Sequence, residues 1–252
     1  MTWVLSKLAY VDMKTRRAKF HLDQLESVVK DWIGSKPYTV THYDDFQKAV
    51  HVCRIQDKLT PELVPMLIGD FVCCLRAALD QLAWALARLP PIRTFTEREE
   101  RQIQFPIAKV RDNVYELKRA FFPSAVATEI DAFQPYLRGN AFKDDPLWQL
   151  NELWTMDKHR AIPVNSNSFN IRFPLGGWED YLVPWTPLND AIEVHFPLIT
   201  FYEGPMNLEP DIVVEVLFGE HLGQFEVSMK RLREINDFVA NHVIPRFTRF
   251  FP

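Results

Sequence analysis

Residues 60–91, TPELVPMLIGDFVCCLRAALDQLAWALARLPP, decide the fold. Thr60-Pro61-Glu62 has the chemistry of a helix start: a capping hydroxyl, a proline whose missing N–H costs nothing there, and an acid suited to the positive helix end. Pro90-Pro91 closes the stretch, so the spacing predicts a helix to about Leu89. Leu67, Phe71, Cys74, Leu75, Ala78, Leu79, Leu82 and Leu86 make it too apolar for a surface helix. It reads as the central helix of a bundle.

Further helices follow from the same periodicity. Leu8, Val11, Ala18, Leu22, Leu25, Val29 and Trp32 mark one face of a long amphipathic helix from Val4 to Trp32, stopped by Gly34 and Pro37. Asp112–Phe121 and Ser124–Leu137 are two more, separated at Pro123. Asp145-Pro146 caps a helix over Leu147–Ile162, and a last one covers about Gln224 to Val243.

Elsewhere the apolar period is two. Tyr38–Tyr43 and Lys48–Ile55 read as a hairpin turned at Asp44-Asp45. After Pro163, the triplets Phe169, Ile171, Phe173 and Ile192, Val194, Phe196, then Ile212, Val214, Val216, Phe218, read as strands. The class is therefore α+β, a helical bundle with a mainly antiparallel β-sheet formed by N- and C-terminal strands. A lone hairpin is marginally stable, so residues 38–55 are expected to join the later strands. No Gly/Ser-rich linker divides the chain, which gives one domain over 1–252: a helical core at about 61–162, a β-rich part at about 38–56 and 163–218, and a C-terminal helix at about 224–243.

The 252 residues are 47% hydrophobic and 25% charged, far from the composition of disorder. The net charge of −4 gives no global positive field for nucleic acid or an anionic membrane. No apolar run approaches a membrane span, and Lys7, Asp12 and Lys14 interrupt the region where a secretory signal would lie. Cys53, Cys73 and Cys74 lack disulfide or zinc spacing and read as buried small hydrophobes in a reducing compartment, which makes the cytoplasm the expected location.

Standard catalytic signatures are missing: there is no phosphate-wrapping GxxxxGK[ST], no GxGxxG, no GxSxG elbow and no HExxH. None of the seven histidines forms a helical metal-ligand pair with another. No metal or cofactor is expected. Gly176-Gly177 beside Trp178 reads as a turn, and Trp178, Tyr181 and Trp185 as turn and core residues.

Two polar clusters interrupt apolar helices. In Leu75–Trp84, Arg76 and Asp80 are i, i+4 neighbours. In Leu150–Arg160, Asn151, Trp154 and Lys158 share a face with His159 beside it. An unpaired buried ion costs several kcal/mol, so the clusters are expected to face each other. Two outcomes fit. Arg76, Asp80, Asn151 and Asp157 form a polar network that fixes helix register, or Arg76, Lys158 and His159 converge on an anion.

The segments LRAALDQLAW at 75–84 and DKHR at 157–160 resemble a set of bacterial proteins of unknown function with an LRxxLDxLAW helix and a later DKHR helix. More distantly, the Arg-containing helix is similar to HEPN domains, helical bundles that include RNases with an Arg-x(4–6)-His motif. That resemblance implies a metal-independent RNA endonuclease, or a degenerate relative, in stress response or phage defence. Counted from Arg76, the histidine positions hold Gln81, Leu82 and Ala83, so the chain departs from the motif at the catalytic base. His159 is the substitute the resemblance implies, with Arg76 on the phosphate and Lys158 on developing charge. A literal match at Arg16 and His21 is of the kind that chance supplies.

The C-terminal stretch interleaves cations and aromatics as Arg246, Phe247, Arg249, Phe250 and Phe251. Such a run suits stacking on bases or seating in a partner groove; alternatively the phenylalanines pack back while the arginines stay in water. With no complete catalytic set in view, the leading expectation is a non-catalytic interaction protein with a protein partner. RNA is the partner in the alternative reading, a membrane in neither, and self-association stays open.

Overall fold

The backbone follows the hydrophobic pattern most closely where that pattern is densest. Helix α1 covers Thr2–Gly34, and α2 covers Leu63–Ala87 in the computed structural model, which describes residues 2–57, 60–91, 93–173, 181–183, 192–197, 211–220 and 225–251. Thr60 and Pro61 lead into α2 through a turn in which the Val64 N–H donates to the Pro61 carbonyl, so the helix begins just after the expected start. At its far end Arg88 and Leu89 donate to carbonyls three residues back, a tightened turn ahead of Pro90.

The chain divides into two compact units, each assembled from separated segments. One comprises residues 1–25, 65–162 and 229–252; the other comprises 26–64 and 163–228. The first is helical. Its core is the face of α2 bearing Leu67, Ile68, Phe71, Leu75, Leu79 and Leu82, all buried. Burying a leucine or phenylalanine of this kind contributes about 2–3 kcal/mol.

Three short helices follow α2. Helix α3 (Glu97–Glu100) opens with a capping box, in which Thr96 accepts from the Glu99 N–H and Glu99 reaches back to the Thr96 N–H. Helix α4 (Asn113–Arg119) is capped by Asp112, whose carboxylate accepts from the Tyr115 N–H. Helix α5 covers Ser124–Asp131 and stops well short of the expected Leu137. Pro135 cannot continue a helix, and a 3₁₀ stretch over Pro135–Asp144, broken at Gly139 with φ +55°, takes its place. Helix α6 (Pro146–His159) then begins as Asp145-Pro146 predicts, with the Asp145 carboxylate accepting from the Leu147 and Trp148 N–H groups.

The end of the chain differs from the reading of a helix over Gln224–Val243. Phe225–Ser228 is a strand, and helix α7 covers Met229–Asp237. A wide π-type turn over Phe238–Val243 leads into helix α8 (Ile244–Thr248). The Ile244 N–H reaches back five residues to the Val239 carbonyl, a geometry that admits Pro245 without the regular ladder its ring would break. Leu232, Ile235, Val239, Val243 and Phe247 are buried along this continuous ridge.

Among the described residues the second unit holds two antiparallel sheets where one was expected. Strands β1 (Tyr38–Asp45) and β2 (Val50–Asp57) form the hairpin, turned at residues 46–49 rather than at Asp44-Asp45. Asp45 belongs to the turn chemistry all the same, because its carboxylate accepts from the Gln47 and Lys48 N–H groups while Ala49 takes φ +52°. The outer edge of β2 pairs with β5 (Ile192–Pro197), so the hairpin joins one later strand. The second sheet has the order β4 (Tyr181–Val183), β3 (Val164–Phe173), β6 (Asp211–Glu220), β7 (Phe225–Ser228). Both edges of β3 are taken, by β4 and β6, and among the described residues no ladder joins the two sheets.

Pairing with β6 is also why Phe225–Ser228 leaves the helix: Val227 is buried opposite Phe218, and the ladder outweighs the helical period. Gly219 lies near the end of that ladder, paired with Glu226. Its φ is +125°, and a Cβ there would collide with the Phe225 carbonyl. The fold is α+β, and no helix among the described residues is long and apolar enough to cross a membrane.

Candidate functional site

The two polar clusters meet along a seam between α2 and α6. On α2 the stripe is Gly69, Cys73, Arg76 and Asp80, at helical spacings of four, three and four. Gly69 and Cys73 face Asp157 of α6, and Arg76 faces Trp154 one turn earlier, so the helices run antiparallel at the seam.

Arg76 is 3% exposed, the deepest cation among the described residues of the helical unit. One of its terminal nitrogens lies 3.0 Å from Asp80 Oδ1 and donates to the Phe105 carbonyl at 2.9 Å. Asp80 in turn accepts from the Phe105 N–H at 3.0 Å. The pair thus clamps both backbone groups of Phe105, which arrives on the loop before α4. Above the guanidinium lies the Trp154 ring, its centre 5.2 Å away, and the Lys158 ammonium lies 4.5 Å from the centre of the same ring. Nε and Nη1 of Arg76 are enclosed without a hydrogen-bond partner among the described residues.

Burial raises the Asp80 carboxyl above the usual carboxylate range, against the opposing pull of Arg76, the Phe105 N–H, Lys118 and Lys158. Burial likewise lowers Arg76, with Asp80 holding it up. A guanidinium stays protonated in proteins, so the cation persists at neutral pH.

Asp157 belongs to a separate contact. Its Oδ2 accepts from Cys73 Sγ at 3.2 Å, and a Cβ on Gly69 would collide with its Oδ1. Cys53 and Cys74 are buried as read from the sequence, whereas Cys73 is exposed as a residue because it lies on the polar stripe of α2; its Sγ turns to this carboxylate, and burial together with the Asp157 hydrogen bond and charge pushes the thiol up to about 12. Among the described residues no hydrogen bond or ion pair joins Arg76 to Asn151 or Asp157. Asn151 is half-buried, with its carbonyl accepting from the Thr155 hydroxyl. Lys158 and His159 are exposed in the last turn of α6.

The C-terminal residues are placed apart from this seam. Phe247 is fully buried, with ring centres 5.9 Å from Phe105 and 6.0 Å from Phe133. Phe250 lies tilted against Phe247, ring centres 6.3 Å apart. Arg246 and Arg249 both grip Glu129 of α5, Arg246 at 2.7 Å, and the Arg246 hydrogen bond, aided by both charges, holds the Glu129 carboxyl below the usual range. Trp178, Trp185 and the Gly176-Gly177 turn lie outside the described residues, and Tyr181 begins β4.

Among the described residues no group of three or more His, Cys, Asp or Glu side chains is arranged to hold a metal ion. Sequence reading missed Gly69, Cys73, Phe105 and Glu129. A glycine inside an apolar helix does carry a signal, because it costs about 1 kcal/mol against alanine and so points to a close approach. Comparison with family models, with curated proteins and with solved structures finds no match to the chain.

Proposed function

We propose that this chain is a non-catalytic interaction protein. The observation that carries the reading is the enclosure of Arg76: the strongest candidate for a catalytic cation is 3% exposed and engaged with Asp80 and the Phe105 backbone, as a structural clamp would be. A phosphate would have to displace the Trp154 ring or break the Asp80 pair to reach it. Breaking a buried pair costs about 3–5 kcal/mol, which a binding event must offset before any chemistry begins.

A metal-independent RNA endonuclease is the second reading, favoured by the two cations, Arg76 and Lys158, on one indole ring with His159 next in sequence. There Arg76 holds the phosphate, His159 acts as acid and base, and Lys158 stabilises charge. Incubation of the full chain with end-labelled RNA in excess chelator separates the two. The expected result is intact RNA. Chelator-resistant cleavage that disappears in a normally folded His159→Ala variant would establish the endonuclease.

A further inference from the structure

Helix α4 turns an apolar ridge outward. Val114 and Leu117 are 61% and 71% exposed, and Val110, on the loop before the helix, is 57% exposed. Most large apolar residues of the helical unit are buried, so three together at this exposure need an explanation. A cavity of about 250 Å³ lies on one side of the ridge, floored by Pro106, Ile107 and Ala108. A second, of about 410 Å³, lies on the other side against Phe121. Val114 and Lys118 line both, so the two form one furrowed surface astride α4.

The rim has a sign. Lys109 and Lys118 border the first cavity, and Lys118 borders the second together with Arg101, which is paired with Glu97 at 3.6 Å. The sole carboxylate lining either is Asp112, which is engaged as the α4 cap. A basic rim on a chain of net charge −4 is a local departure from the whole. The exposed stripe on α1, Tyr10, Met13 and Phe20, lacks this bias, since the Asp12–Arg16 and Lys19–Asp23 pairs beside it balance.

We infer that this surface docks an acidic amphipathic helix of a partner protein, with apolar side chains in the furrows beside Val114 and Leu117 and carboxylates over Arg101, Lys109 and Lys118. The apolar anchors supply burial and the cations supply orientation and encounter rate. The inference rests on the interaction-protein reading and names the partner's chemistry.

The test is fluorescence anisotropy of the full chain with a labelled peptide of about 15 residues, leucine on one helical face and glutamate elsewhere. A second peptide replaces glutamate with lysine. Saturable binding of the acidic peptide is expected, weakened at least about tenfold by Leu117→Asp, a change at an exposed position whose fold is checked by circular dichroism. Arg101→Glu is expected to weaken the acidic peptide and strengthen the lysine peptide. Absence of saturable binding, or binding indifferent to Leu117→Asp, overturns the inference. So does concentration-dependent dimerisation in sedimentation that Leu117→Asp abolishes, which would give the furrow to a second copy of the chain. The RNA assay reads the broader proposal and the peptide titration reads this one, so the two fail separately.

Discussion

The Asp157 carboxylate stands where a side chain on Gly69 would have to be. An interior glycine costs α2 helical stability, and the return is a close approach by α6 that brings Asp157 onto the Cys73 thiol at 3.2 Å.

Asp157→Asn removes the charge and weakens the acceptor, so the Cys73 pKa is expected to fall from about 12. Burial, its largest cause, remains. The thiolate fraction at a fixed pH below the pKa rises about tenfold per unit of pKa decrease, so iodoacetamide labelling of Cys73, followed by mass spectrometry, accelerates. Gly69→Ala pushes the same carboxylate aside and is expected to accelerate it too. Its effect on stability stays within about 1 kcal/mol, because the higher helix propensity of alanine opposes the looser fit of α6 against α2. Unchanged labelling in both variants would mean that Asp157 has no hold on the thiol.

The Arg76–Asp80 clamp gives a double-mutant cycle. Arg76→Met leaves a mostly buried carboxylate and the Phe105 carbonyl unpaired, and is expected to cost about 3–5 kcal/mol in urea unfolding. Asp80→Asn added to it restores part of the loss, since the amide oxygen still accepts from the Phe105 N–H without a charge to desolvate. Additive losses would mean that the two residues do not act as a pair.

Glu129 makes the C-terminal helix pH-sensitive. Its folded pKa lies below the ordinary 4.5, chiefly through the Arg246 hydrogen bond, so its contribution is present above the unfolded value and is lost as pH falls through the folded one. Hydrogen exchange over residues 244–251 is expected to speed up below about pH 4.5 in excess of the intrinsic rate change. In Glu129→Gln the same region exchanges faster already at neutral pH. Equal protection in the two proteins at neutral pH would show that Phe247 alone anchors the helix.

His159→Ala tests the exposed end of α6. The side chain lies in solvent in the last helical turn, so the unfolding free energy is expected to move by no more than about 0.5 kcal/mol in thermal unfolding. A larger loss would assign His159 a structural contact.

Local chemistry made much of this legible. Thr60-Pro61-Glu62 and Asp145-Pro146 announced helix starts because caps act over three residues, and the saturated face of α2 announced the core. Arg76 and Asp80 were readable as a pair because i, i+4 spacing fixes their distance. The hidden part depends on ladders and partners far along the chain. Phe225 shares a helical spacing with Met229 and Leu232, and only the pairing with β6 makes Phe225–Ser228 a strand. Asp157 has a register that serves Arg76 or Cys73 equally well in one dimension, and the approach at Gly69 decides for Cys73. The arginines of the tail could not be assigned to Glu129, 117 and 120 residues away, from composition.

The interleaving of the two units bears on how the protein is made. Residues 229–252 complete the helical unit, yet they come after the whole of the segment 163–228 that belongs to the other. During synthesis from the N-terminus, α2 and its apolar face are therefore finished long before Val239, Val243 and Phe247 exist to cover their share of that core. Over that interval the nascent chain carries an open hydrophobic surface, the kind that chaperones hold and that aggregates when they do not. Ribosomes stalled before residue 229 should thus present a protease-sensitive helical unit, and release of the last helix should convert it to a resistant one.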